Sequence, residues 1–188
     1  GEPGQPVQIH EGTHEHLGQD FKDKFADTGV DVEYPPETVT VTRPETLQPV
    51  SIETAPYPGF PTDLQAQWTV LLGLADGTAT VTDTIYDDRF KHVPELQRLG
   101  MEISVDGNTA TVHGGTPIKG AKVMSTDLRA SVSLVMAGMI AEGTTHVLRV
   151  YHLDRGYEHL EEKLRSAGVD IHREEYDEFE EPTPETVS

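Results

Sequence analysis

The sequence predicts one α/β domain made of repeated strand–helix–strand–helix–strand units, and two observations carry this prediction. Short runs rich in β-branched residues alternate with amphipathic stretches of helical period along the whole chain. The segment Thr62-Asp63-Leu64-x-Ala66 also returns as Thr126-Asp127-Leu128-x-Ala130, with a similar order of elements after each copy. Because such units cannot bury their apolar faces alone, we expect them to pack around a shared core.

The elements follow in order along the chain. A first helix is predicted to open at His16-Leu17 and to end near Thr28-Gly29. Longer helices are predicted over 63–74 and 127–140, since Leu64, Trp68, Leu71 and Leu72 in one, and Leu128, Val132, Val135 and Met139 in the other, fall on one helical face. The remaining predictions are helices over 90–100 and 157–168 and strands over 30–33, 39–42, 78–86, 101–104, 109–113, 145–151 and 169–172.

These elements divide residues 1–173 into three units. The first, at about 7–48, lacks its front half, the second covers about 50–114, and the third covers about 120–173. Residues 174–188 are rich in acids, with two prolines near the end, which is typical of a solvated and disordered acidic tail.

The composition excludes several classes of protein. A chain of 188 residues with 35% hydrophobic side chains can enclose a core. It contains no cysteine, so it offers no disulfide, no thiolate zinc site and no cysteine nucleophile. No apolar run is long enough to span a bilayer, and the first residues do not resemble a secretory signal, so we expect a cytoplasmic location.

The chain is strongly acidic. It carries 33 Asp and Glu residues against 14 Lys and Arg, a formal net charge of -19. Such a field repels nucleic acids and anionic lipid surfaces, so we predict neither as a partner. The scarcity of lysine is typical of proteins adapted to high salt.

Asp63 is the first candidate functional residue, because a loop containing three prolines and a glycine delivers it to the start of a helix. One interpretation is that Thr62 or Asp63 only caps that helix by accepting hydrogen bonds from free backbone N–H groups. The other is that a stiff loop holds the Asp63 carboxylate as a general base at a fixed distance from a substrate hydroxyl.

Three arginines are the second set of candidates. Arg89 lies in the cluster Asp87-Asp88-Arg89-Phe90-Lys91-His92, which is most simply a solvated turn with a local ion pair. Arg129 and Arg155 occupy comparable places in the third unit. Because guanidinium groups bind carboxylate and phosphate in a two-pronged geometry, the three arginines indicate a local anion site on an otherwise acidic surface.

We predict no metal and no cofactor. His10, His14 and His16 could supply ligands, but the sequence shows no partner cluster with fitting spacing. Gly-x-Gly-x-x-Gly and Gly-x-x-x-x-Gly-Lys-Ser/Thr motifs are both absent, so a phosphate-cradling loop for a nucleotide has no support.

Four segments resemble a known family. They are Pro58-Gly-Phe-Pro-Thr-Asp-Leu-Gln-Ala-Gln67, Asp88-Arg-Phe-Lys-His-Val-Pro-Glu-Leu96, Ser125-Thr-Asp-Leu-Arg-Ala-Ser131 and Tyr151-His-Leu-Asp-Arg-Gly-Tyr-Glu158. Their order and spacing are similar to those of the UDP-N-acetylglucosamine 1-carboxyvinyltransferases, the enolpyruvyl transferases that open peptidoglycan synthesis. The match runs from about Val30 to Arg173.

The resemblance implies one lobe of a two-lobed enzyme, the inside-out α/β barrel, in which each lobe holds three βαβαββ units and the active site lies between the lobes. Such enzymes transfer enolpyruvate from phosphoenolpyruvate to the 3-hydroxyl of UDP-N-acetylglucosamine. The family's N-terminal lobe, which carries a Lys-Asn pair and a loop with a Cys or Asp proton donor, would then be a partner that this sequence does not contain.

The resemblance also implies roles for individual residues. Asp63 matches the carboxylate that faces the reacting hydroxyl, and Ile85 matches a contact to the uridine nucleotide. Arg89, Asp127, Arg129 and Arg155 match the charged wall that faces phosphoenolpyruvate, with Arg155 catalytic alongside Asp63. The alternative from another class is a lobe that binds a sugar nucleotide, or has a regulatory contact, without catalysis.

The charge generates a prediction about salt. Self-repulsion destabilises a compact chain of charge -19, and salt shortens its reach to about 8 Å near 0.15 M. We expect the melting temperature to rise with added potassium chloride, both in the intact chain and in a chain cut after Arg173, and more steeply in the intact one. A melting temperature that stays flat up to molar salt would contradict the high-salt interpretation.

Overall fold

The computed structural model describes residues 3–10, 17–35 and 37–175. Its strands and helices are, in chain order, β1 (Pro6–His10), α1 (Gln19–Asp27), β2 (Asp31–Glu33), β3 (Thr38–Thr42), β4 (Ile52–Glu53), α2 (Gln65–Gly73), β5 (Thr78–Thr82), α3 (Val93–Arg98), β6 (Glu102–Asp106), β7 (Thr109–His113), β8 (Lys122–Met124), α4 (Leu128–Ile140), β9 (His146–Leu148) and α5 (Leu160–Ser166). Short 3-10 helices cover Thr62–Leu64 and Val150–Arg155. This alternation confirms the predicted α/β class.

The strands of the described residues form three sheets. The order is β1-β3-β2 in the first, β4-β5-β7-β6 in the second and β8-β9 in the third. Strands β4 and β5 are parallel, as are β8 and β9, whereas all other pairs are antiparallel. The set β1, β3 and β2 therefore repeats the arrangement of β5, β7 and β6, although the division of the chain into three units stays a prediction.

The second sheet shows why these residues form strands. In β5 and β7, the pairs Ala79–Val112 and Val81–Ala110 lie opposite each other and are buried. Threonines alternate with them and occupy the other face, as in the pair Thr80–Thr111. This period of two places one face of the sheet on the core.

Helices α2 and α4 form the centre of the molecule. Their buried side chains include Trp68, Val70 and Leu72 from α2 and Leu134 from α4, and all belong to one apolar cluster. The predicted apolar face of α2 is buried or half-buried, but burial in both helices extends beyond the predicted faces. Thr69 is fully buried, whereas the predicted stripe residue Met139 is 41% exposed, because these helices are covered on several sides.

An aromatic cluster joins α1 to this core. Phe21 packs on Phe25 and Phe60, and the rings of Phe60 and Trp68 meet edge to face with centroids 5.1 Å apart. The indole nitrogen of Trp68 donates to the carbonyl of Val50 at 3.0 Å, which satisfies its polar group. The loop that precedes Asp63 is thereby fixed through Phe60, which is fully buried.

Some predicted boundaries differ from the observed ones. Helix α1 begins at Gln19, and His16 lies outside the described residues. Residues 169–172 form no strand, because no neighbouring strand of the described chain pairs with them. Of the predicted acidic tail only Glu174 and Glu175 are described. No helix among the described residues is long and apolar enough to cross a membrane.

One histidine is buried at the start of α3. His92 is 3% exposed, and its Nε2 atom has no hydrogen-bond partner within the described ranges. Burial lowers the pKa of His92 to about 4, against the opposing effects of the Asp127 charge and a hydrogen bond with the backbone of Arg89. The imidazole is therefore neutral in the folded protein at neutral pH.

This burial predicts a loss of stability in acid. Unfolded His92 takes up a proton below pH 6.5, whereas folded His92 does so only near pH 4, so the free energy of unfolding falls as pH drops through that window. In His92→Gln this loss should be smaller by about 3 kcal/mol, measured by urea denaturation at several pH values. His146→Gln, at an exposed histidine, serves as the control and should keep the wild-type loss, and an equal loss in His92→Gln would contradict the prediction.

Candidate active site

The loop before Asp63 is held by its own backbone. The amide of Gly59 donates to the carbonyl of Pro56 at 2.9 Å, and the amide of Ala55 donates to the carbonyl of Phe60 at 3.0 Å. The chain then enters the 3-10 helix Thr62–Leu64, which leads directly into α2. Asp63 is therefore fixed at the N-terminal end of a buried helix.

Neither Thr62 nor Asp63 caps α2, so the capping interpretation was wrong. The 3-10 turn begins after Pro61, and no side chain there accepts a capping hydrogen bond. The hydroxyl of Thr62 donates instead to Oδ2 of Asp83 at 2.7 Å. The Asp63 carboxylate is therefore available for another contact.

That contact is with Arg129, at the start of α4. The Nε atom of Arg129 donates to Oδ1 of Asp63 at 2.6 Å, and Nη2 contacts the same oxygen. The Asp63 side chain is 69% exposed and that of Arg129 is 37% exposed, so the pair contributes little to stability. Its effect is to orient the carboxylate, and the described chain gives Oδ2 of Asp63 no hydrogen-bond donor.

Asp127 has a structural contact that the sequence analysis missed. It is the N-cap of α4, and its Oδ1 accepts from the amides of Arg129 and Ala130 at 2.8 and 3.0 Å. The cap satisfies two free N–H groups and fixes the backbone position of Arg129 in the first turn of α4. The same carboxylate acts electrostatically on His92 and Lys91, so the loop before α3 lies beside it.

Ile85 and Arg89 lie on the loop that follows β5. The amide of Ile85 donates to Asp83, and the guanidinium carbon of Arg89 lies 4.2 Å from the ring centre of Tyr86. Lys91 and Asp88 form an exposed ion pair at 2.9 Å, which confirms the local pair predicted for this turn.

Arg155 ends the 3-10 helix Val150–Arg155 and is exposed. The next residue is Gly156, where a Cβ atom would lie 2.9 Å from Cδ2 of Leu128, so this segment passes close to the start of α4. Among the described residues Arg155 forms no ion pair. The structure thus joins Asp63 to Arg129 directly and brings Asp127, Ile85 and Arg89 onto neighbouring loops.

Asp83 is a residue that the sequence analysis missed. It follows β5, is 2% exposed, and accepts hydrogen bonds from two loops. The available signal was an Asp at the end of a strand, where its side chain can accept from amides two and three residues later.

The described part of the chain contains no group of three or more His, Asp or Glu residues that could hold a metal ion. His14 and His16, which were considered as ligands, lie outside the described residues.

Comparisons with known proteins give consistent results. The chain is 57% identical over 160 residues to UDP-N-acetylglucosamine 1-carboxyvinyltransferase of Chloroherpeton thalassium, which covers 85% of this chain and 37% of the relative. It is 52% identical to the enzyme of the same name from Chlorobium chlorochromatii, over 94% of this chain and 41% of the relative. The chain therefore spans about two fifths of the length of these curated relatives.

Solved structures show the same fold. The enolpyruvyl transferase NikO from Streptomyces tendae matches with a TM-score of 0.82 and 30% identity, over 89% of this chain and 40% of that one. EPSP synthase from Acinetobacter baumannii matches with a TM-score of 0.68 and 18% identity, over 92% and 40%. The latter likeness shows the fold alone.

The family model described as EPSP synthase (3-phosphoshikimate 1-carboxyvinyltransferase) matches residues 3–164. The match covers most of the chain, agrees with the solved structures and confirms the resemblance seen in the sequence motifs. This chain therefore belongs to the EPSP synthase family of enolpyruvyl transferases.

Proposed function

We propose that a full-length protein containing this chain transfers enolpyruvate from phosphoenolpyruvate to the 3-hydroxyl of UDP-N-acetylglucosamine, the first committed step of peptidoglycan synthesis. The observation that carries the proposal is the Asp63 carboxylate, fixed by a stiff loop and by Arg129, in a chain 52 to 57% identical to relatives with that name. This chain supplies one lobe of the site, and an N-terminal lobe supplies the other. A cytoplasmic location and the absence of a cofactor stay parts of the proposal.

Asp63 is the proposed general base. Its Oδ1 atom is held by Arg129, so Oδ2 is the oxygen that can take the proton of the substrate hydroxyl. The hydroxyl oxygen bonds to C2 of phosphoenolpyruvate while C3 gains a proton from the other lobe. Loss of a proton from C3 and departure of inorganic phosphate then restore the double bond, which balances the reaction.

Three arginines are proposed to bind the anionic groups of the substrates. Phosphoenolpyruvate carries a carboxylate and a phosphate, and each is a two-pronged partner for guanidinium. Arg155 is exposed and without an ion pair among the described residues, which supports its assignment to phosphoenolpyruvate. Arg89 and Arg129 are the other two proposed anion-binding residues, in a chain whose formal charge is -19. Asp127 fixes the backbone of Arg129.

A sugar nucleotide is the favoured acceptor among those used in the family. The chain is 52 to 57% identical to relatives named for UDP-N-acetylglucosamine, but only 18% identical to the EPSP synthase from Acinetobacter baumannii. Ile85, on the loop after β5, is proposed to contact the uridine nucleotide.

The proposal predicts a large effect of removing the base. In the full-length protein, Asp63→Asn and Asp63→Ala should lower kcat by about 100-fold or more, the scale of a positioned acid–base group. Turnover is measured as phosphate released from phosphoenolpyruvate at saturating sugar nucleotide. The matched control is Asp76→Ala, an exposed aspartate just beyond the other end of α2, which should turn over like the wild type. Wild-type turnover in Asp63→Asn would exclude Asp63 as the base.

A second prediction concerns the 188-residue chain by itself. We expect it to fold at least in part but not to catalyse, because one wall of a cleft neither assembles the reacting groups nor excludes water. Its affinity for UDP-N-acetylglucosamine should be weak, since only part of the contact surface is present. Submicromolar binding by calorimetry, or any phosphate release from phosphoenolpyruvate, would contradict this expectation.

A further inference from the structure

We propose that Asp83 is a positioning residue that sets the placement of the Asp63 loop relative to the Ile85 loop. The two loops donate to different oxygens of the same buried carboxylate. This inference rests on the proposed function, because it assigns a role around the same site, but its geometry is independent of which acceptor the enzyme uses.

Both oxygens of Asp83 are used, and each holds a different loop. Oδ2 accepts from the hydroxyl of Thr62, the residue before Asp63, at 2.7 Å. Oδ1 accepts from the amide of Ile85 at 3.0 Å and from the amide of Tyr86 at 3.1 Å. A single side chain that is 2% exposed therefore connects the proposed base to the proposed nucleotide contact.

Thr54 forms hydrogen bonds with the residues on either side of Asp83. Thr54 is fully buried, and its hydroxyl accepts from the amide of Thr84 at 3.0 Å. Its own amide donates to the carbonyl of Thr82 at 2.9 Å, and its carbonyl accepts from the hydroxyl of Thr84. Hydrogen bonds thus join the ends of β4 and β5 on both sides of Asp83 in the sequence, which fixes the backbone that carries the carboxylate.

Asp83 is held by neutral donors, and none of the described residues forms an ion pair with it. Burial raises its pKa, but the hydrogen bonds from Thr62, Ile85, Tyr86 and Thr54 outweigh that effect and lower the pKa below its usual value. An ionised carboxylate accepts all of these donors at once, so removing it leaves several partly buried donors without a partner.

The connection predicts two separable kinetic effects in the full-length protein. Asp83→Ala releases both loops, so kcat should fall by about 10-fold to 100-fold and KM for UDP-N-acetylglucosamine should rise, the scale expected for reacting groups displaced by about 1 Å. Thr62→Val releases only the Asp63 side, so it should lower kcat with little change in KM. Thr62→Ser restores the donor and should recover most of kcat.

Controls separate positioning from a loss of folded protein. Asp106→Ala changes an exposed aspartate at the end of β6 in the same sheet and should leave kcat and KM at wild-type values. Rates are expressed per folded molecule, counted by the amplitude of the unfolding transition. Values of kcat and KM within twofold of wild type in Asp83→Ala, or equal rates for Thr62→Val and Thr62→Ser, would overturn the proposal.

A readout that needs no turnover distinguishes this proposal from the proposed function. Amide hydrogen exchange of Ile85 and Tyr86 should be at least tenfold faster in Asp83→Ala than in wild type or Asp106→Ala, because Asp83 is their acceptor. If wild-type protein releases no phosphate but shows this difference, the enolpyruvyl transfer is wrong and the positioning role stands. Unchanged exchange at both amides would overturn the positioning role whatever the activity.

Discussion

The packing of α2 against α4 is the constraint on which the candidate site depends. Both helices are buried on several sides, and Leu72 and Leu134 belong to the same apolar cluster. Asp63 lies just before the first helix and Arg129 in the first turn of the second, so their distance is set by a core that contains no catalytic group. The ion pair between them is exposed and weak in itself. It forms because the core already places the two residues close together.

The sequence predicted what depends on local pattern. Alternating threonine and apolar residues identified β5 and β7, and the repeat around Asp63 and Asp127 located the two helix starts. It failed where the outcome depends on a distant partner. Thr62 resembled a cap, but its acceptor is Asp83 on another strand end. Residues 169–172 have the composition of a strand, but a strand also needs a neighbour to pair with.

The same distinction applies to the site residues. Asp63 and Arg129 could be singled out because rigid loops and arginines are visible in a sequence. The contact between Arg129 and Asp63 could not be predicted in this way. Asp127 appeared as part of a charged wall, yet one of its oxygens is occupied by the start of α4. The sequence did not show that His92 and Asp83 are buried. Burial is what makes each of them unusual, and it is a property of the folded chain.

Short-range and long-range interactions of the site respond to salt in different ways. Hydrogen bonds to buried Asp83 are shielded from ions, whereas the field of the acidic surface is screened within about 8 Å at 0.15 M. The contacts of the loops with Asp83 are therefore preserved in a saline medium, while the long-range repulsion between a chain of formal charge -19 and an anionic ligand is reduced. In such a medium an anionic ligand therefore meets the chain more often, with no change in the geometry of the loops that Asp83 holds.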